Sequence, residues 1–295
     1  MEDGKQVTAG REVAEQDIPN IRRARGYRLY TENGERLVDL WQAGGGAVLG
    51  HTPHNLVREL KNTAERGLFA PYPASAERRF VKALSALFRD GEGFYVFSDR
   101  SRLHAALEDA GILKKNDPIP DSAFLSPPET TAASITLWRP FCVCPPSPLL
   151  VPVLPWSLAP AVLVVKESGR TMVKNPLFSD TIASVILAAA TRAIYDLIAE
   201  INAADRKRSF PKITKTLAMK GCLWKQNGVY LRTDVDDTAY ERLFHLFLDA
   251  GFLLPPAPRS PAILPSELSE GEEASLVHLL SPDRHACLNT SHGAL

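Results

Sequence analysis

The chain has 295 residues, with 34 Lys+Arg against 34 Asp+Glu and a formal net charge of zero. That length allows one large domain or two modest ones, and 45% apolar with 23% charged residues is ordinary globular composition. Neutrality excludes the broad basic footprint of a nucleic-acid or acidic-membrane binder. Four cysteines (Cys142, Cys144, Cys222 and Cys287) are too few and too scattered for a disulfide scaffold, and they suit a reducing compartment.

The opening MEDGKQVTAG lacks the basic and apolar regions of a signal peptide. Residues 26–41 alternate apolar and polar positions around Asn33-Gly34, which predicts a hairpin with a two-residue turn. Gly44, Gly45 and Gly46 make a loop in which the backbone can approach something closely. Thr52 is the expected N-cap and Pro53 the first residue of a helix that Gly67 stops. A second helix is expected over 75–89, a buried strand over 94–98 and a helix over 101–111.

The texture then changes. Residues 117–160 hold 11 of the 23 prolines. Residues 140–165 carry no charge, yet seven of them are proline, too many for a membrane-spanning helix. Apolar pieces at 134–138, 148–154 and 160–165 read as strands of a compressed sheet with little room for crossover helices. A long helix is expected from Ser179 to Ala203, capped by Ser179 or Asp180. A strand pair surrounds Asn227-Gly228. Asp236 or Asp237 caps a helix ending at Gly251, and Ser269 with Glu272 has capping-box spacing. The tail 281–295 is expected to be disordered.

The run GYRLYTENGERLVDLW followed, after one residue, by AGGGAVLGH (residues 26–51) resembles the start of class III aminotransferases, and of their glutamate-1-semialdehyde aminomutase-like branch in particular. AERGL at 64–68, ASAE at 74–77 and YERLFHLFLDAGFLLPP at 240–256 extend the resemblance, which covers roughly half the chain. It implies an α/β fold of the pyridoxal phosphate (PLP) transferase type, fold type I. Here the fold is shortened, with a small α+β domain built from both chain ends (1–75 and 212–295) around a shrunken large domain (76–211). It also implies a homodimer, or a heteromer with a related chain.

PLP chemistry needs a Schiff-base lysine, a carboxylate on the ring nitrogen, a stacking aromatic and a phosphate turn at a helix N-terminus. At the family's phosphate turn this chain has Ser98-Asp99-Arg100-Ser101-Arg102. The glycine is gone and an acid opposes any anion, so Ser98, Arg100, Ser101 and Arg102 read as a remnant turn, salt-bridged at the surface. The aromatic–His and Asp-Glu-Val motifs are absent, and Glu129 is the only acid between Asp121 and Lys166. The lysine would fall near Val153. The nearest ones, Lys166 and Lys174, come after the following strand and lack an apolar setting that would lower their pKa. Pro176 stands where the family has a phosphate-binding threonine. The expectation is therefore a cytoplasmic pseudoenzyme without cofactor or metal, serving association or ligand binding, with a remnant cleft near Trp138, Arg139 and Trp156. The alternative is an active PLP enzyme whose lysine has moved to Lys174 or Lys166. The pair His51 and His54 is not expected to bind metal, and the cysteines are expected to behave as small hydrophobes.

Overall fold

The computed structural model describes residues 17–125, 133–143, 146–204 and 208–285. Cys144, Cys287, Glu129 and the tail from residue 286 lie outside them. Within the expected tail, Pro282–His285 forms a helical turn.

The N-terminal strands are β1 (Ile21–Arg25), β2 (Arg28–Thr31) and β3 (Arg36–Asp39). β2 and β3 pair antiparallel, with Tyr30 opposite Arg36. Thr31 N donates to Glu35 O, so the loop holds three residues, not two, and only Gly34 takes a positive φ, of 86°. Helix α1 (His54–Ala64) starts one residue later than predicted. Pro53 is its N-cap, and Thr52 does not cap it. Helix α2 (Ser75–Leu87) leads into β4 (Gly91–Phe97), and α3 (Arg100–Asp109) follows at once.

The proline-rich region forms β5 (Ile135–Trp138), β6 (Leu149–Pro152) and β7 (Ala161–Lys166). With β4 they make a four-stranded sheet in the order β4-β7-β6-β5. β7 is antiparallel to both neighbours, while β5 and β6 are parallel. Along β7, Val162 and Val164 face a cluster with Phe80 and Leu84 of α2. Ala161, Leu163 and Val165 face Leu103 and Leu107 of α3. Burial on both faces is why the strand reads as an unbroken apolar run.

Helix α4 (Ser184–Asn202) lies on the α2 face, with Leu187, Ala190 and Ile194 inward. It begins five residues after the predicted start, and Ala183 offers it no side-chain cap. Ser179 and Asp180 are used elsewhere. Val96 N donates to Ser179 Oγ (3.0 Å), and Ser98 N to Asp180 Oδ2 (2.9 Å). Together they close the free edge of β4. At the other edge, Leu137 N donates to Pro120 O and Ser122 N to Leu137 O. Both edges of the shortened sheet are thus paired by loop residues, which blunts its tendency to recruit another strand.

The C-terminal elements are α5 (Pro211–Leu217), β8 (Trp224–Asn227), β9 (Tyr230–Thr233), α6 (Asp237–Asp249), β10 (Phe252–Leu253), β11 (Ala262–Ile263) and α7 (Glu270–Leu280). Asn227 pairs with Tyr230, so the hairpin turn is Gly228-Val229, one residue beyond its predicted place. Asp236 caps α6, and Ser269 with Glu272 forms the full capping box of α7. β10 runs parallel to β3, with Phe252 opposite Val38. Leu29, Leu37 and Val38 share one core with Phe244, Phe247, Leu253 and Ile263, so residues from both chain ends pack together.

An ion pair fastens these ends. Arg28 Nη2 donates to Glu272 Oε2 at 2.6 Å, and Arg36 lies 3.4 Å from the other oxygen. Burial alone would raise the Glu272 pKa; the Arg28 and Ser269 hydrogen bonds outweigh it and pull the carboxyl down to about 2. Its folded-state value lies below the ordinary 4.5, so the pair's contribution is present above pH 4.5 and lost as the pH falls toward 2. Glu272→Gln is expected to cost about 1–2 kcal/mol at neutral pH, after allowing for solvent screening of the partly exposed guanidinium. In urea titrations the gap between the two proteins should shrink as the pH drops from 4.5 to 2.

Candidate functional site: the cleft at the start of α3

The carboxyl ends of β4 and β6, the N-terminus of α3 and the glycine loop enclose a cleft of about 380 Å³. Ser98, Asp99 and Arg100 line one side, and the turn from Val151 to Ala161 the other. Such a position, at strand ends beside a helix N-terminus, is where α/β sheets commonly hold ligands.

The remnant turn is built from the helix cap. Asp99 accepts from Arg102 N at 2.8 Å, placing a carboxylate over the N-terminus of α3. Ser98 Oγ lies 3.5 Å from the same carboxylate, and Arg102 pairs with Asp180 at 3.4 Å. Arg100 lines the cleft, whereas Ser101 and Arg102 are exposed outside it.

The three proposed cleft residues separate. Trp156 lines the cleft. Trp138 is half-buried in the core on the α2 side, edge-on to Phe88 with ring centroids 4.9 Å apart. Arg139 is 4% exposed and does not line the cleft. Its Nε donates to Asp121 Oδ1 (2.7 Å) and its Nη2 to Oδ2 (2.7 Å), a two-pronged pair. Nη1 reaches Gly44 O at 2.7 Å. Burial works against the Arg139 charge, but the Asp121 hydrogen bonds and charge outweigh it, and the net shift is upward. Ser122 completes the joint. Its Oγ accepts from Arg139 N (3.1 Å), and its carbonyl accepts from Asn227 Nδ2 (3.0 Å).

The glycine loop presses on the opposite wall. A Cβ on Gly45 would stand 2.8 Å from Val153 Cγ1, and one on Gly46 would stand 2.8 Å from Ser157 Cα. Gln42 and Ala43 take positive φ angles of 50° and 49° to bring the loop there. Asp39 supports the bend by accepting from Trp41 N and Gln42 N and by binding His51 Nε2 at 2.7 Å.

The two candidate lysines are elsewhere. Lys166 Nζ pairs with Asp90 at 2.9 Å at the far end of β7. Lys174 is exposed in a loop that it shares with Asn175 and Pro176. Among the described residues no lysine lines the cleft. Asp121 is held by Arg139, and Asp99, which lines the cleft, covers the helix N-terminus. This donor set does not fit PLP: it supplies no amine and no free ring carboxylate, and it puts a negative charge where a phosphate would lie.

Cys142 and Cys222 are free and half-buried, and burial pushes the Cys142 thiol up. Among the described residues no cluster of metal-ligating side chains occurs, and no helix is long and apolar enough to cross a membrane.

No family model matches the chain. It is 25% identical to an uncharacterized protein of Treponema pallidum over 290 residues, covering 83% of this chain and 89% of that one. A β-phenylalanine aminotransferase from Variovorax paradoxus superposes with a TM-score of 0.64 at 12% identity, over 95% of this chain and 91% of its own. An ornithine aminotransferase from Toxoplasma gondii, with PLP partially occupying its active site, superposes with a TM-score of 0.58 at 13% identity, over 91% and 90%.

Of the three cleft residues expected from sequence only Trp156 lines the cleft, and sequence reasoning missed Asp121 and Ser122, which hold Arg139. The only local signal for them was an acid and a hydroxyl side by side ahead of a strand. Arg139→Ala is expected to destabilise the protein by about 3–5 kcal/mol, because Asp121 would stay largely buried without its partner. Arg139→Lys should recover only part of that, having no fork to match the carboxylate. Urea denaturation of the two variants checks both values. At this identity the likeness establishes a fold, and the chain is an α/β protein with the architecture of the PLP-dependent aminotransferases.

Proposed function

We propose that this chain is a non-catalytic derivative of the class III aminotransferase fold, close to the glutamate-1-semialdehyde aminomutase branch. In this reading it has lost PLP and works in the cytoplasm by association or by binding a ligand in the remnant cleft. The observation that carries the reading is the lining of the cleft, which has no lysine among the described residues and an aspartate over its helix N-terminus. Without an amine to form the internal Schiff base, the chemistry of the class has no starting point. The alternative, an active PLP enzyme using Lys174 or Lys166, is favoured by the aminotransferase neighbours, one of which carries PLP. Purified protein mixed with PLP should show no aldimine band and no cofactor fixed by borohydride. A borohydride-reducible band that disappears in Lys174→Ala or Lys166→Ala would overturn the reading.

β6 and β7 are buried within the chain, and α4 packs on α1 and α2. Support for association comes from Phe69, Tyr72, Leu158 and Phe178, each more than 60% exposed. A homodimer, or a heteromer with a related chain, would cover them. Sedimentation at micromolar concentration is expected to give a dimer. A monomer throughout that range would leave ligand binding as the role.

A further inference from the structure

We propose that a cavity between the β1–β2 turn, the start of α1 and the second half of α4, separate from the cleft, binds a small hydroxylated monocarboxylate of the sugar-acid type. The cavity has a volume of about 710 Å³ and shares no lining residue with the cleft.

An arginine short of acceptors carries the inference. Arg208 lines the cavity. Its guanidinium carbon lies 4.0 Å from the centre of the Phe141 ring. Nη2 donates to Val48 O at 3.0 Å and to Tyr27 Oη at 3.4 Å. Nε and Nη1 are buried and have no hydrogen-bond partner. Arg139 shows the contrast, because both prongs of its fork are met by Asp121. Buried charges are ordinarily paired, and buried N–H groups ordinarily find an acceptor. The planar oxyanion of a carboxylate matches a guanidinium fork in both charge and shape.

The wall limits the ligand to one negative charge. Arg192 also lines the cavity, but Asp196, one turn along α4, accepts from its Nε at 3.0 Å. Asp196, Glu200 and Glu267 set three carboxylates in the wall against the two arginines. A second carboxylate on the ligand would therefore meet like charge, while the first is drawn to Arg208.

Polarity selects the rest of the molecule. Ser266 Oγ donates to Tyr27 Oη at 2.9 Å, and Asn55 Nδ2 donates to Asp196 Oδ1 at 3.1 Å. Tyr27, Asn55 and Ser266 all line the cavity, as does His54 at the first position of α1. Hydroxyl groups both donate and accept, so a chain of them suits a wall of this kind better than a hydrocarbon tail does.

The test uses the full chain with gluconate as the probe, followed by calorimetry and amide NMR shifts. Three comparators each remove one feature: sorbitol has no charge, hexanoate has no hydroxyls, and glucarate has a second carboxylate. Gluconate is expected to bind at millimolar concentration or tighter, with shifts at Tyr27, Asn55 and Ser266 and none at Arg100 or Ser157 of the cleft. Each comparator should bind at least about tenfold more weakly. Arg208→Lys keeps the charge, loses the fork and should weaken gluconate several-fold. Arg208 also holds Val48, so Ser266→Ala, which leaves that contact in place, is the second variant and should weaken gluconate several-fold as well. Glu267→Gln removes one wall carboxylate and should narrow the gap between gluconate and glucarate. The proposal is overturned if gluconate does not bind, if any comparator binds as well, if the shifts fall in the cleft, if Glu267→Gln leaves the gap unchanged, or if folded Arg208→Lys and Ser266→Ala proteins bind gluconate like the parent chain.

Discussion

The pair between Arg139 and Asp121 joins the parts of this molecule. It stands where the central sheet meets the core made from the chain ends. Arg139 directly follows β5, Asp121 belongs to the loop that closes the edge of β5, and Gly44 O brings in the glycine loop from the N-terminal hairpin. The Arg139 guanidinium also lies 5.4 Å from the centre of the Tyr230 ring, at the start of β9. Burying such a pair costs several kcal/mol of lost hydration for each ion, and the attraction only roughly offsets it. Its value is in geometry. A two-pronged contact with a third donor on a backbone carbonyl admits few arrangements, so it fixes how the glycine loop sits against Val153 and Ser157.

That arrangement also sets the shape of the cleft. The loop comes so close to the opposite wall that neither Gly45 nor Gly46 could carry a side chain without displacing it. The Asp99 side chain accepts from Arg102 N and sets a carboxylate over the end of α3, which disfavours an outside anion there. The sheet has been kept at four strands by pairing both free edges with loops. Fold and site therefore rest on different residues.

Much of the architecture was legible in the sequence. The caps at Asp236 and Ser269, the apolar stripe of α4 and the strands among the prolines follow from local rules, in which each residue's preference agrees with its neighbours. The misplaced boundaries have a common physical cause. Ser179 and Asp180 have the chemistry of helix caps, but the open edge of β4 offered backbone N–H groups that needed the same oxygens. Both hairpin turns shifted because strand register, set by the buried faces, overrode the preference of the Asn-Gly dipeptides. The candidate site was only half legible. An absent lysine can be read from one position, whereas the Arg139–Asp121 joint spans 18 residues and the contact to Gly44 spans 95.

The connection from β5 to β6 has a consequence for how the chain reaches this state. Parallel neighbours are ordinarily linked by a helix that covers the sheet. Here the link runs past the β8–β9 hairpin instead: Phe141 O accepts from Val229 N, and a Cβ on Gly228 would overlap the same oxygen. The N-terminal hairpin likewise waits for β10 and for Glu272, which is 244 residues from its partner Arg28. The core made from the chain ends cannot close during synthesis until the last quarter of the chain has emerged, whereas the clusters on the two faces of the central sheet draw only on residues 76–198. Contacts of such separation slow folding and leave strand edges open in the meantime. The nascent chain thus carries the edge of β3 that β10 will cover open for most of its time on the ribosome, and that edge is the one most in need of shielding.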